Sequence, residues 1–500
     1  MKTKILKTKD ISSNHESCVL AYGHFTTIHT GHIRYLNYAK RIGKKLIVAL
    51  LPDTLLRGFN KYSFSQNERA NSLSLLSIAD YIFMMGEENL EEVIELLKPQ
   101  TIVFGKEFEN TKDPEILNGI KKQISNKAKV EFHAGEIHYA SADLLNSSES
   151  ELSQKRKNAF LKQCFKENIS SKNLLDSMKS WEKSHLLVIG DTIVDQYAAC
   201  EPIGLSAEAP VVVVKELKKK DFIGGAAIVA SHIRALGAQC TFLSVTGDDA
   251  LSKKIDQKLK DKGINANLIK DKSRPTTFKK RYVVENQKLF RVSRLEDHKL
   301  DKEKEDKIIE KLREFAPKVN GIVVSDFVYG VITTNVLKEI NLLSKKYSLM
   351  IFGDLQCSSQ IGDVTNFKNF SLLCPNEKET RIALKDTESG LEKLSQKLIE
   401  ITKTKNLIMK LGAEGFIAYE STNKNIKTHS FPALSVNPLD VAGAGDSLLA
   451  VMATGLSSNQ SMLLSSALAC CMASIAVETM GNEPISREKL ISKILNVFNN

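Results

Sequence analysis

The stretch LDVAGAGDSLLA, residues 439–450, joins a glycine-rich turn to the start of an apolar helical pattern. Gly443, Ala444 and Gly445 are small enough for successive backbone N–H groups to close around a phosphate, and a helix beginning there points its positive end at the same anion. Asp446 follows directly and is placed to accept a proton from an alcohol that attacks a phosphoryl group. A simple turn with an N-capping aspartate is the structural alternative.

Length and composition define the setting of this turn. The 500 residues predict two or three domains, and a hydrophobic fraction of 42% is ordinary for a soluble globular chain. No segment has an unbroken apolar run long enough for a membrane span, and the N-terminal residues lack the apolar region of a signal peptide. Eight scattered cysteines without a CxxC pair indicate reduced thiols. The expected location is the cytoplasm, without a membrane partner.

The net charge of +11 raises the possibility of nucleic-acid binding. Residues 1–150 carry 19 Lys and Arg against 18 Asp and Glu, so the excess lies in the remainder of the chain, where it is diffuse. Solvated helix faces or a patch for anionic phosphates explain it more simply than a duplex does. No nucleic-acid-binding motif accompanies the charge, and we therefore expect no nucleic-acid partner.

Two successive patterns of alternating strands and helices divide the chain. From residue 18 to about 145, the runs CVLAY, KLIVALL, DYIFMM and TIVFG predict strands, with helical spacing between them. A second alternation begins at HLLVIGD, residues 185–191, and continues to the end. The pattern predicts an α/β protein with two doubly wound parallel sheets. We expect domains at 1–150 and 185–500, joined by a helical linker at 151–184.

The first half contains the stretch AYGHFTTIHTGHIRYL, with His29 and His32 three residues apart. A strand over 18–22 and a helix from about 31 place both imidazoles at a helix N-terminus, where parallel sheets bind phosphates. Gly23 permits close approach of the backbone, and Gly31 separates the imidazoles without bulk. Two imidazoles there can stabilise the charge that develops on an attacked α-phosphate. A metal pair or a chance pair of histidines are the alternatives, and no third ligand is evident nearby.

This stretch resembles the cytidylyltransferase-like nucleotidyltransferase superfamily, whose signature is Gly-x-Phe-Asp followed by His-x-Gly-His. Gly23 and Phe25 match in register, whereas Thr26 replaces the usual Asp. The resemblance implies a Rossmann-like domain in which His29 and His32 are catalytic. It also implies that a further set of residues binds nucleotide: Gly23, Phe25, Gly31, Arg57 in LPDTLLRGFN, and Ser141 in YASADLL. The stretch NERANSLSLL, with Arg69, resembles the helix that follows the Arg57 segment. For Ser141 an ordinary helix N-cap is an equal alternative.

The second half has several motifs that accompany the glycine-rich turn. Gly224 and Gly225 precede a helix of small residues and would let a polar substrate lie against the backbone, or allow close helix packing. In GDTIVDQY, we interpret Asp191 as a turn or cap residue and Asp195 as a ligand of sugar hydroxyls. The remaining motifs are LCPNEKE, with Asn376 and Glu379 spaced to organise hydrated magnesium, and MKLGAEG, with Gly412 and Gly415 near a nucleotide.

In order and spacing these motifs resemble the ribokinase-like (PfkB) sugar kinases over residues 185–500. The resemblance implies that Asp446 is the catalytic base and that residues 443–445 form the anion hole. It assigns Gly412 and Gly415 to the nucleotide, Asn376 and Glu379 to Mg²⁺, and Asp195, Gly224 and Gly225 to the sugar. Ala442 stands where the family signature commonly has Thr.

Within that family, the second half resembles the kinase half of bifunctional heptose 7-phosphate kinase/heptose 1-phosphate adenylyltransferases. IGLSAEAPVVVV and RPTTFKKRYVVENQKLFRVSRLED, residues 203–214 and 274–297, match its lid segments, which suit a small sheet and a dimer contact. In the second segment Arg274, Lys279, Lys280 and Arg281 are candidates for a sugar phosphate, with solvated strand faces as an equal alternative. This chain departs from those enzymes in two respects. The order of the two halves is reversed, and FGDLQCSS stands in place of their Asp-Pro-Lys-Gly segment and lacks its lysine.

Together the halves predict an enzyme with two linked reactions. The kinase would use ATP and Mg²⁺ to make a sugar 1-phosphate, and the nucleotidyltransferase would convert it to a nucleotide-activated sugar. The resemblance implies ADP-D-glycero-D-manno-heptose, made from heptose 7-phosphate, and a homodimer formed through the lid. Three alternatives stay open: another sugar or polyol phosphate (possibly with CTP), a kinase with an inactive first half, and a non-enzymatic regulator.

Overall fold

The protein is represented by a computed structural model in which the chain forms two compact units. One comprises Met1–Ser148 with Lys385–Gln396, and the other comprises Glu149–Leu384 with Lys397–Asn500. The described residues are 3–8, 18–25, 28, 30–55, 64–105, 108, 111, 113–133, 148–209, 211–285, 287–357, 360–387, 389–421 and 426–498.

The first unit is built on a six-stranded parallel sheet with the order β1-β4-β3-β2-β5-β6. Its strands alternate with helices, and separate apolar clusters contain residues from alternate positions of the central strands, as expected when both sheet faces are covered. The strands are β1 Lys4–Leu6, β2 Cys18–Gly23, β3 Lys45–Leu50, β4 Tyr81–Met84, β5 Thr101–Gly105 and β6 Lys129–His133. The helices are α1 Thr30–Arg41, α2 Gln66–Leu75, α3 Leu90–Leu97 and α4 Pro114–Ser125.

The second unit has a nine-stranded sheet with the order β11-β10-β7-β14-β15-β16-β17-β18-β19. The first seven strands in this order are parallel, and β18 and β19 extend the sheet antiparallel. The strands are β7 His185–Gly190, β10 Gln239–Gly247, β11 Asn265–Asp271, β14 Gly321–Asp326, β15 Met350–Leu355, β16 Leu372–Leu373, β17 Asn406–Lys410, β18 Phe416–Ser421 and β19 Ile426–Phe431. Both units therefore confirm the predicted doubly wound α/β class.

The later helices follow the strands in chain order. They are α5 Glu149–Lys166, α6 Ser171–Ser177, α7 Ala226–Ala235, α8 Ala250–Asp261, α9 Lys302–Phe315, α10 Thr334–Tyr347, α11 Glu377–Leu384, α12 Leu391–Thr402, α13 Ala444–Ser457, α14 Met462–Val477 and α15 Arg487–Phe498. Most of the segment 151–184, which we predicted to be a helical linker, is helical, but it belongs to the second unit, where Phe160, Cys164 and Trp181 are buried in the main apolar cluster. These side chains make the segment part of that core.

A separate four-stranded sheet has the order β13-β12-β8-β9. Its strands are β8 Thr192–Leu205, β9 Val212–Gly225, β12 Thr277–Val284 and β13 Gln287–Arg294. We call these four strands the lid sheet. Its formation confirms that the two segments 203–214 and 274–297 belong to one small sheet. The first segment contains only the end of β8, which begins at Thr192, and the start of β9, which ends at Gly225.

All eight cysteines are free thiols, in agreement with the composition. Within the described ranges, no helix combines the length and hydropathy needed to cross a membrane.

Candidate functional site

One cavity of about 350 Å³ in the second unit brings together most of the residues that the sequence singled out there. Its lining includes eight of them: Asn376, Glu379, Gly412, Gly415, Gly443, Ala444, Gly445 and Asp446. Apolar side chains, among them Phe416, Leu434 and Val477, line another part of the same cavity. A cavity with a polar end and an apolar end has the character of a small-molecule site.

The glycine-rich turn forms the N-terminus of α13. Gly443 is the N-cap residue with a φ of 84°, and α13 begins at Ala444. The left-handed conformation favours glycine, and a Cβ at this position would overlap Oδ1 of Asn482. The first N–H groups of a helix have no acceptor within the helix and carry the positive end of its dipole. The geometry therefore fits an anion against residues 443–445.

Asp446 lies in the first turn of α13 and is buried. Its Oδ1 accepts a hydrogen bond from Nε2 of Gln356 at 2.8 Å, and the same nitrogen lies 3.3 Å from Oδ2 of Asp354. Burial, reinforced by the charge of Asp354, raises the pKa of Asp446 to about 7, although Lys410 and the bond from Gln356 oppose the increase. A carboxyl group with this pKa suits general base catalysis near neutral pH.

Asn376 and Glu379 form a reciprocal cap at the start of α11. The Glu379 amide donates to Oδ1 of Asn376, and the Asn376 amide donates to Oε2 of Glu379, each at 2.8 Å. Oε1 of Glu379 accepts a further bond from the amide of Cys357. Burial raises the pKa of Glu379. Among the described residues, no three His, Cys, Asp or Glu side chains are grouped to hold a metal.

The predicted sugar-binding residue Asp195 lies on β8 beside the glycine-rich turn. Its Oδ1 is paired with Arg281 of β12, and its Oδ2 accepts a hydrogen bond from Nδ2 of Asn482 at 3.1 Å. A Cβ at Gly224 would overlap Oδ2 of Asp195, so the absence of a side chain there is a steric requirement. Asn482 thereby connects Asp195 to Gly443. The sequence reasoning missed Asn482, because it lies 287 residues from Asp195.

Asp191 has the structural role that the sequence analysis favoured. It is buried, and its carboxylate accepts backbone hydrogen bonds from Phe327, Tyr329 and Val331 at 2.8 to 3.4 Å. Gly225 packs its Cα near the carbonyl of Asp191 and ends β9 just before α7. These bonds fix the loop after β14, so Asp191 organises the scaffold.

The four basic candidates for a sugar phosphate in residues 274–281 are engaged by protein partners. Arg274 pairs with Asp271 at 2.8 Å and donates to the carbonyl of Tyr329, and Lys280 pairs with Glu216. Lys279 is buried with its ammonium over the rings of Phe327 and Tyr329. These contacts, and the pairing of Arg281, favour a structural role over a preformed site for the sugar phosphate.

Asp440 links the lid sheet to the glycine-rich turn, which the sequence reasoning did not anticipate. Its Oδ1 accepts hydrogen bonds from the amide of Ala442 at 2.9 Å and from Nζ of Lys288 at 2.5 Å. Its Oδ2 accepts one from the hydroxyl of Tyr197 at 2.6 Å. Two lid strands and the turn therefore share one buried carboxylate, whose pKa is lowered by these bonds, chiefly those from Lys288 and Tyr197, against the cost of burial.

In the first unit, Gly23 ends β2 and His32 lies in the first turn of α1. The ring of Phe25 packs against that of His32 with centroids 5.0 Å apart. The Phe25 side chain is 3% exposed, so any contact of this residue with nucleotide must use its backbone. The position of His32 confirms the predicted helix N-terminus at the carboxyl end of a parallel strand.

Arg69 connects the loops that follow two neighbouring strands of the first sheet. Its guanidinium is buried and donates to the carbonyls of His24 and Leu51, and it pairs with Asp53 at 2.7 Å. These contacts fix the loops at the carboxyl edge of the sheet, where α1 begins. The other candidates His29, Arg57 and Ser141 lie outside the described residues, and Gly31 is described only as part of α1.

Two family models match successive parts of the chain. Residues 183–489 match the family model described as pfkB family carbohydrate kinase, and residues 20–174 match the model described as cytidylyltransferase-like. The first match covers more than half of the chain, and the chain belongs to the pfkB family of carbohydrate kinases.

Individual relatives carry the name bifunctional protein HldE. The protein from Desulfatibacillum aliphaticivorans is 28% identical over 314 residues, which are 62% of this chain and 63% of the relative. The protein from Campylobacter jejuni strain RM1221 is 31% identical over 318 residues, which are 63% of this chain and 65% of the relative. The chain thus spans less than two thirds of the length of these relatives.

Solved structures support the fold of the second half. Phosphofructokinase-2 from Escherichia coli in complex with substrates and products aligns with a TM-score of 0.53 at 17% identity, covering 63% of this chain and 99% of that chain. Its complex with fructose-6-phosphate aligns with a TM-score of 0.52 at the same identity and coverage.

Proposed function

We propose that the second unit is an ATP-dependent kinase that phosphorylates the anomeric hydroxyl of a sugar phosphate. One observation carries this proposal: Asp446, with a pKa raised to about 7, lies beside the helix N-terminus that forms the polar end of the cavity. The base and the anion turn belong to consecutive residues, so a hydroxyl that reaches Asp446 also faces a phosphate bound at residues 443–445.

The proposed reaction needs no covalent enzyme intermediate. The Asp446 carboxylate accepts the hydroxyl proton while the hydroxyl oxygen attacks the γ-phosphorus of ATP, and ADP leaves with the electrons of the broken bond. Backbone N–H groups at the start of α13 stabilise the charge on the transferred phosphoryl group. Asp195 and Asn482, which are hydrogen-bonded to each other beside Gly443, hold sugar hydroxyls.

Magnesium fits the polar end of the cavity as a hydrated ion. Each carboxylate oxygen of Glu379 already accepts one backbone hydrogen bond, yet each retains a lone pair that a metal-bound water can use. Asn376 and Glu379 would hold the ion through its water shell. When bound, the ion would neutralise part of the charge on the polyphosphate.

For the first unit we propose nucleotidyl transfer. His29 and His32 at the start of α1 would bind the triphosphate and stabilise the α-phosphate while the phosphate of a sugar 1-phosphate attacks it and pyrophosphate leaves. The cytidylyltransferase-like match and the location of His32 at a helix N-terminus support this role.

The substrate that we propose is D-glycero-D-manno-heptose 7-phosphate, with ADP-D-glycero-D-manno-heptose as the nucleotide sugar. The lid segments and the similarity to proteins named HldE support this choice. Gln356 favours a second candidate, another sugar or polyol phosphate, because it stands where the resembling enzymes have a lysine near the substrate.

Phosphorus NMR with purified protein and Mg²⁺ tests both reactions separately. ATP with heptose 7-phosphate should give a heptose bisphosphate and ADP. Heptose 1-phosphate with ATP should give an ADP-sugar and pyrophosphate, and CTP in place of ATP tests the nucleotide. A bisphosphate without any nucleotide sugar would contradict the role of the first unit, and no turnover of either heptose would contradict the heptose assignment.

We also propose a homodimer formed through the lid sheet. Exposed apolar side chains cluster on this sheet, namely Ile203, Leu205, Val212, Leu217, Leu289, Phe290 and Val292. Single exposed apolar residues are common on protein surfaces, whereas a group of seven on one small sheet is typical of an interface. Light scattering should give twice the mass of the chain, and Leu217→Glu with Phe290→Glu should give the monomer mass. A monomeric wild-type protein would contradict the proposal.

A further inference from the structure

Lys410 is a partly buried cation that lines the cavity. It is the last residue of β17, its side chain is 16% exposed, and it lines the cavity together with the glycine-rich turn. Its Nζ donates to both oxygens of Asp354, at 2.7 and 2.8 Å. Removing the two charges of an ion pair from water costs free energy that their mutual attraction offsets only in part. The position of the Lys410–Asp354 pair at the cavity therefore requires an explanation.

The Lys410 ammonium lies beside the anion turn. A Cβ built on Gly445 would stand 3.2 Å from Nζ, so this nitrogen lies close to the backbone of the first turn of α13. An ammonium has three N–H donors, and Asp354 accepts from two of them. Among the described residues the third donor has no hydrogen-bond partner, and the exposed part of the side chain faces the cavity.

The charge balance of the cavity also points to Lys410. Asp446 and Glu379 line the cavity, and Asp354 lies within reach of the same Gln356 amide as Asp446. Among the described lining residues, Lys410 is the sole cation. A nucleoside triphosphate would bring several more negative charges, and of the described side chains that line the cavity this ammonium is the one that can meet them directly.

We infer that Lys410 is a catalytic residue that binds the γ-phosphoryl group of the nucleotide through its third N–H. The inference rests on the proposed kinase function and assigns the cation of that site. As the sugar oxygen bonds to the γ-phosphorus and ADP leaves, Lys410 stays protonated and follows the transferred oxygens. Burial opposes its protonation, but the carboxylates of Asp354 and Glu379 outweigh burial and raise its pKa.

This assignment also accounts for the altered segment FGDLQCSS. The Asp-Pro-Lys-Gly segment of the resembling enzymes has a lysine two residues after its Asp, and in this chain Gln356 stands two residues after Asp354. Lys410 brings an ammonium to the same Asp354 from the neighbouring part of the sheet, 56 residues further along the chain. The positive charge beside Asp354 in this chain therefore comes from Lys410 at the end of β17.

Calorimetric titration of the full chain with AMP-PNP and with ADP tests the inference. Lys410→Met should weaken AMP-PNP binding by about 10- to 100-fold, the range of a hydrogen bond to a charged group. ADP affinity should change by less than about 3-fold, because ADP has no γ-phosphate. In Lys410→Met the kcat of the kinase reaction, measured from the ADP formed, should fall together with the AMP-PNP affinity.

The double variant Asp354→Asn with Lys410→Met separates catalysis from simple charge pairing, since it leaves no unpaired buried charge. The inference requires the same loss of AMP-PNP affinity as in Lys410→Met. Recovery of wild-type affinity and kcat in the double variant would overturn it, because Lys410 would then serve only to neutralise Asp354. The wild-type protein could also fail to turn over the sugar while both variants bind AMP-PNP more weakly than the wild type. That result would support the inference and contradict the proposed sugar.

Discussion

Gln356 places one side-chain amide between two buried carboxyl groups, donating to Oδ1 of Asp446 at 2.8 Å and lying 3.3 Å from Oδ2 of Asp354. The amide orients the Asp446 carboxyl group and lowers its pKa, while burial and Asp354 raise it. The balance leaves Asp446 partly protonated at neutral pH. Its environment, and not its residue type alone, makes it a base suited to the proposed reaction.

The kinase reaction should depend on pH through Asp446. Because only the carboxylate can accept the hydroxyl proton, kcat should fall tenfold per pH unit below an apparent pKa of about 7. Gln356→Leu removes a bond that favours the ionised form, so its acidic limb should move to higher pH. Initial rates of ADP release between pH 5 and 9 check both results. A profile that is flat below pH 7 would exclude Asp446 as the base.

The same carboxyl group should make the protein less stable as pH rises. Its pKa in the folded chain, about 7, exceeds the ordinary value of 3.8, so the folded state binds the proton more tightly and the ionised form costs stability above pH 4. Asp446→Asn removes that cost, which amounts to about 1–4 kcal/mol at pH 8. The Tm of the variant should exceed that of the wild type, with a gap that widens from pH 5 to pH 8. A variant less stable at pH 8 would contradict this sign.

Gly443→Ala should disrupt the anion turn. The left-handed φ of 84° strains any side chain, and the new Cβ would meet Oδ1 of Asn482. We expect kcat of the kinase to fall by about 100-fold or more, since a displacement of about 1 Å has this effect on a reaction. Gly204→Ala is the matched control: Gly204 has a φ of 137°, but nothing lies within 4 Å of its Cβ position. Equal activity in both variants would show that the turn tolerates displacement.

Asn482 should contribute to binding of the sugar. It is 9% exposed, its Nδ2 donates to Asp195, and its buried Oδ1 has no hydrogen-bond partner among the described residues. A buried acceptor of this kind is satisfied if a sugar hydroxyl donates to it. Asn482→Leu should raise the KM for the sugar by about 10-fold or more, and the KM for ATP should serve as an internal control. Equal increases in both constants would indicate a general disturbance of the cavity.

The central strands could be predicted because their apolar runs are short and bounded by polar residues. CVLAY, DYIFMM and TIVFG become β2, β4 and β5 with ends shifted by at most one residue. The edge strands β1 and β6 were missed. KIL is only three residues long and KVEFH alternates apolar with charged or polar residues, so neither forms an apolar run, and their pairing with β4 and β5 depends on contacts that no local pattern reveals.

The candidate site divides in the same way. Residues 443–446 could be predicted, because a turn, a helix N-terminus and a base occupy consecutive positions. The partners of Asp446 could not, since Gln356 and Asp446 are 90 residues apart and their contact arises only when β15 and α13 reach the same cavity. The local Asn376–Glu379 spacing was recognised, but its capping role required the hydrogen-bond geometry.

The most direct test of the account compares His32→Ala with Asp446→Asn, because each half is held to perform its own transfer. Phosphorus NMR would follow both variants with ATP and Mg²⁺, once with heptose 7-phosphate and once with heptose 1-phosphate. The account predicts that His32→Ala forms the bisphosphate but no pyrophosphate, and that Asp446→Asn forms the ADP-sugar and pyrophosphate but no bisphosphate. Loss of both reactions in either folded variant would contradict a division of the two activities between the halves.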